Sequence, residues 1–375
     1  MILPGVIGAI VIIAVLWEAF ETVVLPRRVT RRLRLTVLFY RATWIPWRAL
    51  AQSLRNVKRR ESFLSYYGPL SLLLLFIFWA AVLVLGFGLL YYSVALPDPT
   101  HPALRTCLYL SGTTFFTLGI GDVTPHTPWE RALIVIESGL GFGFLALVLS
   151  YLPVIYQAFS RREVNIVLLD ARAGSPPTAG ELLRRHAGPN ELVELQALLR
   201  DWERWAAEIL ESHISYPVVS YFRSQHNNES WLGALAMMLD ASALLIAAGE
   251  IPCYRQAKLT FAMCRHTVVD LAQIFSAAPR NPPKDRLPPA DIERLRKVMS
   301  ASGLDLPDTP EFTTKLAQLR QMYEPYLAAL ARHLSVDLPP WVLATEAADN
   351  WRTSAWGRIS GFDPAPQATA AVDDH

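Results

Sequence analysis

Residues 71–92 read SLLLLFIFWAAVLVLGFGLLYY, without a single charge. A run of this length can cross the hydrocarbon core of a bilayer as one helix, which takes about 20 apolar residues. Residues 2–25 and about 129–156 are also strongly apolar, though each carries a few charges. The chain of 375 residues is 52% hydrophobic and 18% charged, and the apolar share is concentrated before residue 158. Beyond it, charged residues and prolines become frequent. The expectation is an all-α membrane protein: a membrane domain first, a helical-bundle domain second. The net charge of +2 gives no signal for a nucleic-acid partner. Cys107, Cys253 and Cys264 fit neither a zinc spacing nor a disulfide framework. A reduced, cytosolic setting is the expectation for the last two.

Charges at the ends of the apolar runs set an orientation. Residues 2–25 lack a basic leader region and a small-residue cleavage site, so a spanning helix (domain 1–26) is expected there. Arg27, Arg28, Arg31, Arg32 and Arg34 follow, which places that end in the cytoplasm and the N-terminus outside. Glu18 and Glu21 are expected to pair with these arginines. Residues 33–57 mix Leu, Phe and Trp with Arg and are interrupted by Pro46. They read as an amphipathic segment on the inner surface, with Trp44 and Trp47 at headgroup level. Lys58, Arg59 and Arg60 keep the 27–66 segment cytosolic. The next span, 67–92, then runs outward. The last, 129–156, returns inward to Arg161 and Arg162, which leaves residues 93–128 on the outer side.

That outer stretch does not look like a simple loop. SVALPDPTHP, residues 93–102, reads as a turn, and Pro102 suits the start of a helix. A helix over 103–116 would be about 21 Å long, too short to cross but apolar enough to enter. It would then return as non-helical backbone, which survives at membrane depth only if buried in protein or lining a wet path. TTFFTLGIGDVTP, residues 113–125, supplies that return. Gly119 and Gly121 accept positive φ without steric cost, and alternation with other residues lets successive carbonyls face one way. Such a row, repeated around an axis, can replace the water shell of a dehydrated cation. The negative C-terminal end of the short helix favours the same ion.

Span, re-entrant helix, T-L-G-I-G-D-V-T-P, span: this order resembles the pore module of the potassium-channel family, over roughly residues 68–158. The resemblance implies a homotetramer in the bilayer with one loop per subunit. Thr117, Leu118, Gly119, Ile120 and Gly121 would line an ion-selectivity filter. Asp122 falls where the family has the aspartate that bonds behind the filter, and Tyr109 where many members have a tryptophan that donates to it. Gly141 falls at the inner-helix hinge, with Gly139 and Gly143 beside it. Phe142, Leu145, Leu149 and Pro153 would face the pore, and a ring of Leu149 side chains would close it by dewetting. K+ is the implied permeant ion, with no resident cofactor. Two departures stand out. Ile120 replaces the usual Tyr or Phe, and Phe116 stands where a threonine is usual. Both bear on the rejection of Na+. On volume, Phe115 or Phe116 is expected to refill the space behind Ile120.

Some readings stay open. The glycines at 139, 141 and 143 either weaken the helix for bending or let neighbours approach closely. Glu137, the one acid well inside its span, either bonds behind the filter to Thr113, Thr114 or the backbone of the short helix, or pairs with Arg131. No helix carries arginine at every third position, so a dedicated voltage sensor is not expected.

Residues 163–357 read as a cytoplasmic helical domain and 358–375 as a disordered tail. Residues 229–249 tempt a fourth span, but Asp240 at their centre favours a buried bundle helix. Further helices are expected over about 252–275, 290–302, 309–335 and 340–356. HISYPVVSYFRSQHNNESW, residues 213–231, is dense in aromatic and polar groups and broken by Pro217. A contact for an unidentified cytosolic regulator is sought there first. No Rossmann fingerprint, P-loop, Ser-His-Asp set or metal spacing is present, so an enzyme is not expected. Two functional readings remain: a cation channel of the plasma membrane, and a membrane-anchored helical sensor with a poorly selective or non-conducting pore.

Overall fold

A computed structural model of the chain describes residues 2–24, 35–94, 103–188, 191–225, 229–249 and 251–343. All regular structure among them is helical. The chain divides into two compact units, Met1–Ser160 with Glu211–Arg223, and Arg161–Leu210 with Ser224–His375.

In the first unit, α1 (Ile2–Ala19) continues as a π-helical turn, Phe20–Val24, and packs along α4 (Tyr67–Val94). α2 (Leu35–Ser53) runs through Pro46 rather than stopping at it. Its buried Trp44 packs 4.7 Å from Tyr67, so tertiary packing holds a helix that local propensity would break. A short α3 (Val57–Ser65), capped by the Asn56 side chain, joins α2 to α4; the sequence reading had not separated it. The buried Glu18 accepts from the backbone N–H of Thr36 at 3.1 Å, and Glu21 accepts from Trp17 Nε1 at 2.7 Å. The arginines at 27–34 expected to meet these acids lie outside the described residues, as do Pro102 and the tail over 358–375.

α5 (Leu104–Phe115) is the short helix, packed on α4. α6 (Pro128–Ala173) begins within a residue of the expected position and runs well beyond the expected end at 156. Its start is a capping box. Glu130 accepts from the N–H groups of His126 and Thr127, while Thr127 Oγ1 accepts from the Glu130 N–H at 3.2 Å. Pro128 occupies the first turn, where its missing N–H costs nothing. Phe76, Trp79, Leu83, Phe87 and Tyr91 of α4 meet Phe115, Tyr151 and Ile155 in one core.

The second unit is a bundle around α9 (Trp231–Ala248), which is buried along nearly its whole length. α7 (Ala179–Arg185), α10 (Tyr254–Ile274) and α12 (Pro310–Gln321) pack on it, with α13 (Glu324–Leu334) against α10. α8 (Glu191–Ser215) and α11 (Pro289–Ala301) complete the set. The helix expected over 309–335 is two helices, parted at Tyr323 with Pro325 opening the second. Of the helix expected over 340–356, only 340–343 are described, and they are not helical.

α9 is long and apolar enough to cross a membrane by composition. Its Asp240 has the partners of a core residue instead. Arg286 binds it with both terminal nitrogens, at 3.2 and 2.6 Å, and Tyr323 donates at 2.7 Å. Arg286 also donates to the Pro339 carbonyl and lies over Trp341, as does Arg320.

Candidate functional site

The loop after α5 is built on backbone bonds. The N–H of Phe116 returns to the Gly112 carbonyl and that of Thr117 to Thr114, at 3.0 Å each. The Thr113 carbonyl takes the N–H of Leu118 at 2.8 Å and of Gly119 at 3.4 Å. The first residues of the loop thus satisfy the orphan carbonyls of the helix end. Thr113 also turns its own hydroxyl back to the Leu110 carbonyl.

Beyond this cap the backbone alternates. Thr117, Gly119 and Gly121 have φ of 55°, 57° and 83°, with Leu118 and Ile120 between them outside the left-handed region. That is the alternation in which successive carbonyls share a side. A Cβ at Gly119 would meet nothing within 4 Å, so conformation and not space demands glycine there. Thr117 holds the left-handed conformation without that licence, at a cost of about 1–2 kcal/mol. Its hydroxyl donates to the Phe116 carbonyl at 2.8 Å. Residues 117–122 are all exposed in the protomer.

Around the loop, the expected neighbours are distributed unevenly. Asp122 accepts from the Val123 N–H at 3.1 Å and lies beside the Tyr109 hydroxyl, so these two are neighbours. Glu137 lies fully buried, but with partners other than those expected. It accepts from Tyr91 Oη of α4 at 2.6 Å and from Ser111 Oγ of α5; Ser111 also reaches the Val84 carbonyl. Outer, short and inner helices are therefore joined through one carboxyl group. Tyr91 and Ser111 were missed in the sequence, because nothing in the spacing of a lone Tyr and a lone Ser pairs them with residue 137.

Phe115 is 2% exposed and packs on Phe144, while Phe116 is 60% exposed and meets Phe115 edge-on at 5.3 Å. Gly141 is where α6 touches the end of α5. A Cβ there would lie 2.0 Å from the Phe115 carbonyl oxygen. Gly139 and Gly143 have no such neighbour within the protomer. Phe142, Leu145, Leu149 and Pro153 are exposed, on the face of α6 away from the buried Tyr151 and Ile155. Among the described residues no group of His, Cys, Asp and Glu is arranged to hold a metal ion.

Comparison with known proteins agrees with this geometry. A family model described as an ion channel matches residues 79–157. "Two-pore potassium channel 5" of Arabidopsis thaliana is 43% identical over 51 residues, 14% of this chain and 12% of that protein. "Two pore potassium channel c" of Oryza sativa subsp. japonica is 36% identical over 89 residues, 22% of this chain and 19% of its own length. A longer match, 23% identical over 62% of this chain and 69% of the relative, is to "Uncharacterized membrane protein YdjJ" of Bacillus subtilis (strain 168). No solved structure matches the chain. The chain thus spans less than a fifth of the length of the curated channels it matches, and the family-model match falls on the helices and loop just described. This is an all-α membrane protein in which residues 79–157 match an ion-channel family model, and part of which is similar to the two-pore potassium channels named above.

Proposed function

We propose that four copies of the chain surround a common axis in the plasma membrane and conduct K+ through a filter of backbone carbonyls. Thr117, Leu118, Gly119, Ile120 and Gly121 supply the oxygens, with Asp122, Tyr109, Thr113, Phe116 and Glu137 as the support behind them. The observation that carries this reading is the alternation of left-handed residues at 117, 119 and 121 directly after a helix too short to span. Row upon row of carbonyls then replaces the hydration shell of the ion. Ile120 keeps its carbonyl and so keeps the ligand count. The inner helices gate the path, with Leu145, Leu149 and Pro153 on the axis side and Gly141 at the level of the filter's base. The N-terminus lies outside and the second unit in the cytoplasm, where it regulates the gate in response to a cytosolic signal. No cofactor enters this account.

Purified protein in liposomes, given first a K+ gradient and then a Na+ gradient, tests the reading. Flux of K+ well above that of Na+ is expected. Equal fluxes would overturn the selectivity, and flux of neither ion would leave the membrane-anchored sensor as the better account.

A further inference from the structure

Residues 211–223 lie within the polar part of the sequence, yet they belong to the first unit. They comprise the end of α8, a 3₁₀ turn over Pro217–Tyr221, and Phe222. Val218 and Val219 are buried in the same core as Leu72, Tyr151 and Ile155. Each aromatic residue of the segment has a specific seat. Tyr221 stacks on Tyr40 at 5.9 Å and meets Tyr67 edge-on at 5.2 Å. Tyr216 meets Tyr151 edge-on at 5.7 Å, and Phe222 meets Phe159 at 5.6 Å. The turn also closes on the backbone of α4, where a Cβ on Gly68 would lie 2.7 Å from Phe222 Cδ2 and 3.1 Å from its Cα. Arg223 adds an ion pair to Glu61 at 3.6 Å.

The seat on α6 is one-sided. Tyr151, Ile155 and Phe159 recur every four residues and are buried, whereas Leu149 is 63% exposed on another face. The segment therefore ties the latter part of the inner helix, more than sixty residues before it in sequence, to the start of the outer helix, about 150 residues before it, and leaves the Leu149 face free.

We propose that residues 216–222 are a latch for the gate, with Tyr216 and Phe222 as positioning residues that hold the inner helix against the outer helix and favour the conducting state. The inference rests on the pore reading above. An inner helix held toward α4 is held away from its copies across the axis. Once released, the exposed Leu149 faces are free to converge and expel water. The latch is covalently continuous with α8, so a signal received by the second unit reaches the gate through the seating of this turn.

Single-channel recording of the full-length chain in planar bilayers tests the latch with Gly68→Ala, Phe222→Ala and the double variant. Crowding by one methyl group at so close a contact is expected to lower open probability about tenfold. Because both substitutions act on one contact, the double variant should be no worse than Phe222→Ala alone. Tyr216→Ala should lower open probability while Tyr216→Phe, which keeps the ring, restores it. The K+/Na+ permeability ratio should stay at the wild-type value throughout. Unchanged open probability, or effects of the two substitutions that multiply, would overturn the latch. Should wild type carry no current, the pore reading fails by itself. The same three variants then report through unfolding of the detergent-solubilised chain, where additive losses of stability would overturn the packing.

Discussion

Gly141 shows how much one hydrogen atom in place of a methyl group can decide. The helix α6 and the last carbonyl of α5 approach so closely there that a Cβ would stand 2.0 Å from oxygen. No rotamer relieves that contact, because both partners are backbone. Gly141→Ala must push α5, and the loop capped on it, out of register with α6. We expect the variant to lose K+ selectivity or to fail to assemble, with a loss of about 1–3 kcal/mol, the usual range for overpacking. Gly139→Ala, with open space in the protomer, should keep the fold and serve as the comparison. Size-exclusion profiles and flux in liposomes distinguish the two. Equal behaviour of the two alanines would show that the close approach carries no weight. At this scale the sequence is informative only where a residue type is forced. Gly119 and Gly121 were legible as positive-φ positions, whereas the choice at 141 between bending and close packing needed the neighbour, which lies 26 residues earlier in the chain. The same holds for Glu137. Its burial was foreseeable from an acid inside an apolar span, but its partners Tyr91 and Ser111 come from two other helices.

Among the elements, α9 is the one that composition alone misassigns. Its apolar run meets the length of a span, and only Asp240 argues otherwise. The structure explains why that one residue outweighs the rest. Asp240 and Arg286 form a two-pronged pair, nearly shielded from solvent, with Tyr323 as a third partner. An arrangement of that kind ties α9, the loop before α11 and the break between α12 and α13 to one another. The pair is itself weak evidence of net stability, since desolvation offsets much of the attraction. Removing one partner is another matter. Asp240→Leu leaves the buried Arg286 guanidinium only Glu324, 3.6 Å away, as a counter-charge and should cost about 3 kcal/mol, the low end for breaking a buried pair. Adding Arg286→Met should recover most of that loss. Urea unfolding of the detergent-solubilised chain gives both values, and a single variant as stable as wild type would show that Glu324 alone suffices for Arg286. The long α6 and the split between α12 and α13 illustrate the opposite limit. Helix existence was readable from periodicity, but ends depend on whether a partner covers the next turn, as with Pro46 inside α2.

At the scale of the whole molecule, the exposed side of α6 is the feature that a single chain leaves unexplained. Phe142, Leu145 and Leu149 are large and apolar, and each is more than half exposed while Tyr151 and Ile155 nearby are buried. Lipid would tolerate that face, but the spacing is not uniform around the helix. It runs down one side from the level at which Gly141 meets the end of α5, on the side of α6 opposite the core it shares with α4. In a fourfold assembly these residues meet their copies across the axis. Under the proposed reading, four leucines at 149 would then form a hydrophobic constriction that excludes water and ions when narrow. Leu149→Ser replaces the ring with hydroxyl groups that hold water, so the closed state should leak K+ while the permeability ratio, set at the filter, stays as in wild type. Leu73→Ser, on the exposed side of α4, is the matched control and should leave the closed state tight. A 149 variant whose leak equals that of the 73 control would place the constriction elsewhere along α6, and would remove Leu149 from the axis.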